Sequence, residues 1–201
     1  ILILCSILLS NGEYMNYIAA AFDAGATTTR IVVREHRFGN MIKPEQLASF
    51  STKTKHGTNE YGLLCEEADK ALCRLLNQMP VSIRKKLKVI TVTSHGASEI
   101  ALDNRGKAIF GIYCYDTEIK DDDRLRFYRE FGSSDKLFVE TGTPEFPKGI
   151  NSLQSVYYIK RRFPREFIWV KTLVALSSYI AYLLTGRLFT DSPHTRNHGY
   201  I

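Results

Sequence analysis

Asp23, Gly25, Thr27, Thr28 and Arg30 fall within one run of eight residues, Asp23-Ala24-Gly25-Ala26-Thr27-Thr28-Thr29-Arg30. That combination points to phosphate chemistry. In a tight turn the backbone N–H groups and neighbouring hydroxyls converge on phosphate oxygens, and a carboxylate beside them can hold a hydrated Mg²⁺. An Asp-x-Gly sequence between two strands is also a common signal for a hairpin turn with no ligand at all. The threonine run exceeds what a turn needs, since one or two special residues suffice to reverse a chain, and Arg30 adds a cation to it.

The chain around this run reads as the frame that positions it. Residues 17–22 and 29–34 are short β-like runs that make the span a hairpin, and 46–51 alternates as a third strand of the same meander. Leu63, Leu64, Ala68, Ala71, Leu72, Leu75 and Leu76 recur at helical spacing between 58 and 79, ahead of Pro80, so an amphipathic helix packed on the sheet is expected there. The β-branched run 87–93 is read as a buried strand that empties into Ser94-His95-Gly96-Ala97. Open α/β sheets collect ligands at such carboxyl ends, and Gly96 allows close backbone approach, although a histidine there also serves as an ordinary structural group. Residues 100–102 and 108–113 flank a turn at Asp103-Asn104-Arg105-Gly106 and lead to Tyr115-Asp116, where Asp116 is either a ligand-side group or the N-cap of the next helix. A charged helix is expected over 117–131, with Lys120-Asp121-Asp122-Asp123-Arg124 as its solvated face, followed by a loop at 139–144. Two more helices are expected, over 150–162 and over 170–184, the second apolar nearly all round and closed by Gly186.

Composition excludes several classes. With 44% hydrophobic and 24% charged residues over 201 positions, the chain is globular and long enough for one sizeable core or for a domain with a small subdomain. The net charge of +6 is scattered, and Arg84-Lys85-Lys86-Leu87-Lys88 and Lys160-Arg161-Arg162 lack the stacking platform a nucleic-acid site requires. The four cysteines have neither C-x-x-C spacing nor a dense framework, and Cys65 and Cys73 lie on the apolar helical stripe, so buried thiols, a reducing compartment and a cytoplasmic protein are expected. The apolar residues 1–10 are too short to span a bilayer and lack the basic start of a signal peptide. Met15 directly precedes the first strand, and codons for Gly12-Glu13 can spell a ribosome-binding sequence, so 1–14 is read as a translated leader or disordered extension and 15–201 as the domain.

Asp23-x-Gly25-x-Thr27-Thr28-x-Arg30 resembles the first phosphate motif of the FGGY carbohydrate kinases, which share the actin and hexokinase ATPase fold. Thr93-Ser94-His95-Gly96 with its Leu-Asp-x-x-Gly turn resembles the sugar loop of xylulokinase-like members. Tyr179-Ile180-Ala181-Tyr182-Leu183-Leu184-Thr185-Gly186 with Thr190-Asp191 resembles the family's aromatic helix, Leu-Thr-Gly and Asp-containing loop. The resemblance implies an α/β, actin-like (ribonuclease H-like) domain with a mixed sheet and flanking helices. It implies ATP and Mg²⁺ as cofactors, with Gly25, Thr27, Thr28 and Arg30 on the ATP phosphates, Asp23 at the metal, and His95, Gly96 and Asp116 on the sugar. Ala26 stands where glycerol kinases carry threonine, so the expected substrate is a ketose or deoxyketose, nearer the rhamnulokinase and fuculokinase branches. The resemblance implies a general-base aspartate at the family's next phosphate motif, beyond residue 201, and an adenosine pocket in a C-terminal lobe that would be this lobe's partner, leaving these residues inactive alone. The partners expected are a sugar and ATP, with no nucleic acid and no membrane, and a homodimer left open. A non-catalytic actin-like nucleotide-binding or scaffolding module is the alternative.

Overall fold

The computed structural model describes residues 17–36, 45–54, 65–110 and 115–189, and for Cys65 and Glu66 the backbone alone. The expected readings of 1–14, of 58–64, of 111–114 and of Thr190-Asp191 lie outside the described residues. The chain divides into two compact units, one containing the described residues up to Thr54 together with 67–94, the other His95 onward.

The first unit is built on a four-stranded sheet of order β3-β2-β1-β4, formed by β1 (Tyr17–Ala24), β2 (Thr28–His36), β3 (Glu45–Lys53) and β4 (Leu87–Ser94). The first three strands form the expected antiparallel meander, and β4 returns parallel to β1, so the sheet is mixed. Alternation decides its faces. Ile18, Ala20, Phe22 and Ala24 of β1 and Thr29, Ile31 and Val33 of β2 are buried, and the residues between them face the other way. Helix α1 (Cys65–Gln78) contributes Ala71, Leu72 and Leu75 to the buried set, with Met79 just after it, and a four-residue helical turn α2 (Val81–Arg84) leads into β4. Cys73 is exposed, correcting the expected buried thiol. The register is pinned at the open end of the hairpin, where Tyr17 and His36 are paired positions and their rings stack at 4.8 Å. Strand β4 is half-buried along most of its length, less than its β-branched composition suggested.

The second unit pairs β5 (Glu99–Leu102) antiparallel with β6 (Thr172–Ala175) and surrounds them with α3 (Asp121–Phe131), α4 (Ser134–Thr141), α5 (Ser152–Arg162), a four-residue turn α6 (Pro164–Phe167) and α7 (Leu176–Thr185). Ala101, Phe110, Tyr158 and Ile159 form a buried cluster, with Phe163, Phe167 and Leu173 packed against it. The Asp103 to Gly106 turn forms as read. Asp103 Oδ1 accepts from the N–H groups of Arg105 and Lys107, and these bonds, that from Lys107 foremost, hold its carboxyl below the usual carboxylate range. Beyond this turn Ala108 forms an isolated bridge to Leu102 and 109–110 are not strand, while the rest of the expected strand, 111–113, lies outside the described residues.

Three further expectations are corrected. The stretch 170–184 is not one helix, because Thr172 to Ala175 pair with β5 before α7 begins at Leu176. A continuous apolar run has no period to separate buried strand from buried helix, and the β-branched Thr172 and Val174 were the only local hint. The loop expected at 139–144 is helical through Thr141. Its bounds are Ser133, whose Oγ accepts from Lys136 N at 3.2 Å, and Gly142, left-handed at φ 71°. The helix expected from 117 begins at Asp121, and its three aspartates are not uniformly solvated: Asp123 is buried and accepts from Arg161 Nε at 2.9 Å, tying α3 to α5. Phe127 and Phe131 add edge contacts to Tyr157 of α5 at 5.5 and 5.8 Å.

Glu99 is the charged residue this core strains to hold. It lies on β5, accepts from the Ser152 hydroxyl at the first turn of α5, and its Oε2 has no hydrogen-bond partner among the described residues. Burial pushes its carboxyl up to about 7, with the Ser152 hydrogen bond pulling the other way. A carboxyl whose folded value exceeds its unfolded value favours folding below the unfolded value and costs stability as pH rises toward and past the folded one. Glu99→Gln is therefore expected to match the native chain at pH 4 and to exceed it at pH 8 by roughly 3 kcal/mol. Urea melts at the two pH values read this difference, and a pH-independent offset would show that Glu99 folds ionised.

Candidate phosphate hairpin and sugar-side residues

The hairpin is closed by Gly25, Ala26 and Thr27 between β1 and β2. Gly25 N donates to Thr28 O at 3.2 Å, and a Cβ on Gly25 would stand 2.6 Å from that same oxygen, so only glycine fits the closure without a shift. A residue the sequence did not single out then laces the turn from the third strand's end. Thr54 N donates to Thr27 O at 3.0 Å, its Oγ1 donates to Gly25 O at 2.7 Å, and the same Oγ1 lies 3.0 Å from Thr29 Oγ1. Thr29 is thereby buried and used up in the fold, whereas Thr27 and Thr28 stay exposed.

Asp23 and Arg30 are directly paired positions of the ladder, on the face opposite the buried one, and Arg30 Nε donates to Asp23 Oδ2 at 2.9 Å. Both are partly exposed, the side chains at 31% for Asp23 and 58% for Arg30, so the pair contributes no more than about 1 kcal/mol and is readily exchanged for other partners. All five expected hairpin residues are thus together at one end of β1 and β2. Because β4 runs parallel to β1, with Asp23 beside Thr93 and Ala24 beside Ser94, the carboxyl ends of both strands lie at that same edge.

A single carboxylate suits magnesium here. Among the described residues no group of three or more His, Cys, Asp or Glu could hold a metal, which argues against an all-protein cage. Mg²⁺ keeps most of its waters and binds through one or two carboxylates plus phosphate oxygens, so the part-exposed Asp23 carboxylate fits the protein's share of that donor set.

In the second unit His95 follows β4 directly. Its Nδ1 lies 2.9 Å from Ser98 Oγ, and the ring tilts against Tyr115 at 5.5 Å, which together fix its rotation. Gly96 is exposed and Ala97 after it is left-handed at φ 50°. Asp116 neighbours Tyr115, so the unit brings His95 and Asp116 into one region. The N-cap reading of Asp116 is corrected, since α3 is capped at Lys120. Asp116 Oδ1 instead accepts from Lys148 Nζ at 2.6 Å, a partner 32 residues away that no local pattern indicated. Ser98, Thr54 and Lys148 are the structural partners that sequence reasoning missed. Each acts through a contact distant in sequence or through a bond too generic to stand out.

Residues 18–199 match the N-terminal domain of the FGGY family of carbohydrate kinases. Among solved structures the chain superposes on a carbohydrate kinase from Novosphingobium aromaticivorans with TM-score 0.74 and 18% identity, covering 92% of this chain and 37% of that one. A xylulose kinase from Rhodospirillum rubrum gives TM-score 0.75 and 18% identity, with 93% and 37% covered. A Plasmodium falciparum glycerol kinase with ADP gives 0.72 and 12%, with 92% and 37% covered. The chain therefore spans less than two fifths of the length of these structures, and at such identities the likeness shows the fold alone, a mixed α/β domain of the actin-like ATPase type. No curated protein sequence matches it. With nearly all of this chain matched by that domain, it belongs to the FGGY family of carbohydrate kinases.

Proposed function

We propose that this chain is the phosphate-binding and sugar-binding lobe of an ATP-dependent kinase that transfers the γ-phosphate to a hydroxyl of a ketose, deoxyketose or polyol, acting in the cytoplasm. The observation that carries it is the hairpin end. A glycine-closed turn, two exposed threonine hydroxyls and an exchangeable carboxylate–guanidinium pair meet at one strand edge.

Phosphoryl transfer needs positioned phosphates, charge neutralisation, an oriented acceptor hydroxyl and a base for its proton. Thr27 and Thr28 donate hydroxyl hydrogens to phosphate oxygens, and the backbone around Gly25 lets those oxygens approach closely. Arg30 leaves Asp23 for phosphate, where its planar fork is well matched. That exchange frees the Asp23 carboxylate for the hydrated cation. When bound, Mg²⁺ neutralises charge developing on the β- and γ-phosphate oxygens. His95, held by Ser98, and Asp116 accept or donate to sugar hydroxyls, and Gly96 leaves room for the sugar against the backbone. No residue of this chain is assigned as the base, and the activity belongs to the whole kinase.

Gly25→Ala in this chain lowers the Tm by about 5 °C, because the new methyl must displace Thr28 O. It also weakens Mg·ATP by at least about tenfold, as read by calorimetry. In the full-length kinase, an ATP-consumption assay against a panel of ketoses and polyols gives turnover with one of them, and Asp23→Ala lowers that turnover by about a hundredfold or more. A full-length protein that binds ATP yet phosphorylates nothing on the panel would favour the scaffolding reading.

A further inference from the structure

Thr54 lies just beyond β3, half-buried, and its side chain reaches the turn between β1 and β2. A hydroxyl has one hydrogen to give. Thr54 Oγ1 gives it to Gly25 O at 2.7 Å, so at its 3.0 Å contact with Thr29 Oγ1 it can only accept. The buried Thr29 hydroxyl is therefore the donor there, and the bonds run in one direction, from Thr29 to Thr54 to the Gly25 carbonyl.

Gly25 is the residue of the turn that most needs such a bond. Without a Cβ it restricts its own backbone very little, so it does not by itself decide which way its carbonyl points. Its N–H is tied to Thr28 O, and its carbonyl is tied to Thr54. A trans peptide sets each carbonyl antiparallel to the N–H that follows it, and no cis peptide occurs among the described residues. With the Gly25 carbonyl turned onto Thr54, the Ala26 N–H points directly away from Thr54. Among the described residues Ala26 N makes no hydrogen bond. Thr54 N also donates to Thr27 O at 3.0 Å, so two carbonyls of the turn are drawn to one residue. An ionised phosphate accepts from N–H groups and is repelled by carbonyl oxygens. A turn with its carbonyls tied off on one side and an amide offered on the other suits it.

We propose that Thr54 is a positioning residue of the phosphate turn, a role that rests on the reading of the hairpin as a phosphate site. Its hydroxyl holds the Gly25 carbonyl back and thereby aims the Ala26 amide at a phosphate oxygen. Loss of the hydroxyl leaves the Gly25–Ala26 peptide free to rotate and to turn its oxygen toward the anion. Phosphate binding then weakens, although Thr54 touches no ligand.

Four chains that differ only at residue 54 test this as two matched pairs. The native side chain and that of Thr54→Val share a shape and differ in the hydroxyl, and so do those of Thr54→Ser and Thr54→Ala. Each chain, labelled with ¹⁵N, is titrated with Mg·ADP, with its Tm recorded and the Ala26 amide as the reporter. Within each pair, loss of the hydroxyl is expected to weaken binding by about tenfold and to displace the Ala26 signal of the free chain. Thr54→Ser stays within about threefold of the native affinity even where its Tm falls. A purely structural Thr54 would group the chains by shape, with Thr54→Val like the native one and Thr54→Ser and Thr54→Ala both weakened in step with Tm. That grouping, or one affinity for all four chains, overturns the proposal, while native shifts at Gly25, Thr27 and Thr28 keep the phosphate reading. If Mg·ADP moves none of these signals in the native chain, the reading and the proposal fall together.

Discussion

The β1–β2 register is the constraint on which the rest of the first unit depends. Side chains alternate along a strand, so a slip of one residue would carry Asp23 and Arg30 into the buried face and bring Phe22 and Ile31 out of it. Buried Ile18, Phe22, Ile31 and Val33 forbid that exchange, and the glycine closure with the Thr54 lacing fixes the loop length at the other end. Apolar burial on one face thus sets where the polar groups stand on the other. The position of Asp23 and Arg30 is a consequence of the hydrophobic pattern on the opposite face.

The strength of each polar contact is suited to its place. Asp123 is withdrawn from water and its pair with Arg161 joins two helices, so removing the arginine leaves a poorly compensated carboxylate. Asp23 with Arg30 and Asp116 with Lys148 are solvated pairs, each contributing little to stability. Glu99 differs from both, because its partner is a neutral hydroxyl and burial is answered by a shift toward the protonated form.

Much of this was legible in the residues themselves. The meander, α1, β4, the Asp103 turn and the Gly186 helix end were readable from alternation, helical spacing and glycine placement, which are local signals. The hairpin was readable because an Asp-x-Gly run falls between two alternating stretches. What was misread depended on partners far away in sequence. Residues 172–175 became a strand because β5 offered an edge, Asp123 was buried because Arg161 met it, and Asp116 became part of an ion pair because Lys148 reached it. Thr54 escaped notice for the same reason, since a threonine after an alternating strand carries no mark of the turn it will hold.

The central claim is that the β1–β2 turn is a phosphate site. The most direct measurement is a two-dimensional ¹H–¹⁵N spectrum of this chain, titrated with Mg·ADP and, separately, with Mg²⁺ alone. Saturable shifts centred on Gly25, Thr27, Thr28 and the Arg30 side chain with Mg·ADP, and little change with Mg²⁺ alone, are the predicted result. Shifts that leave these residues untouched, with the Arg30 Nε signal still characteristic of its pairing to Asp23, would contradict the account and leave the hairpin a structural turn.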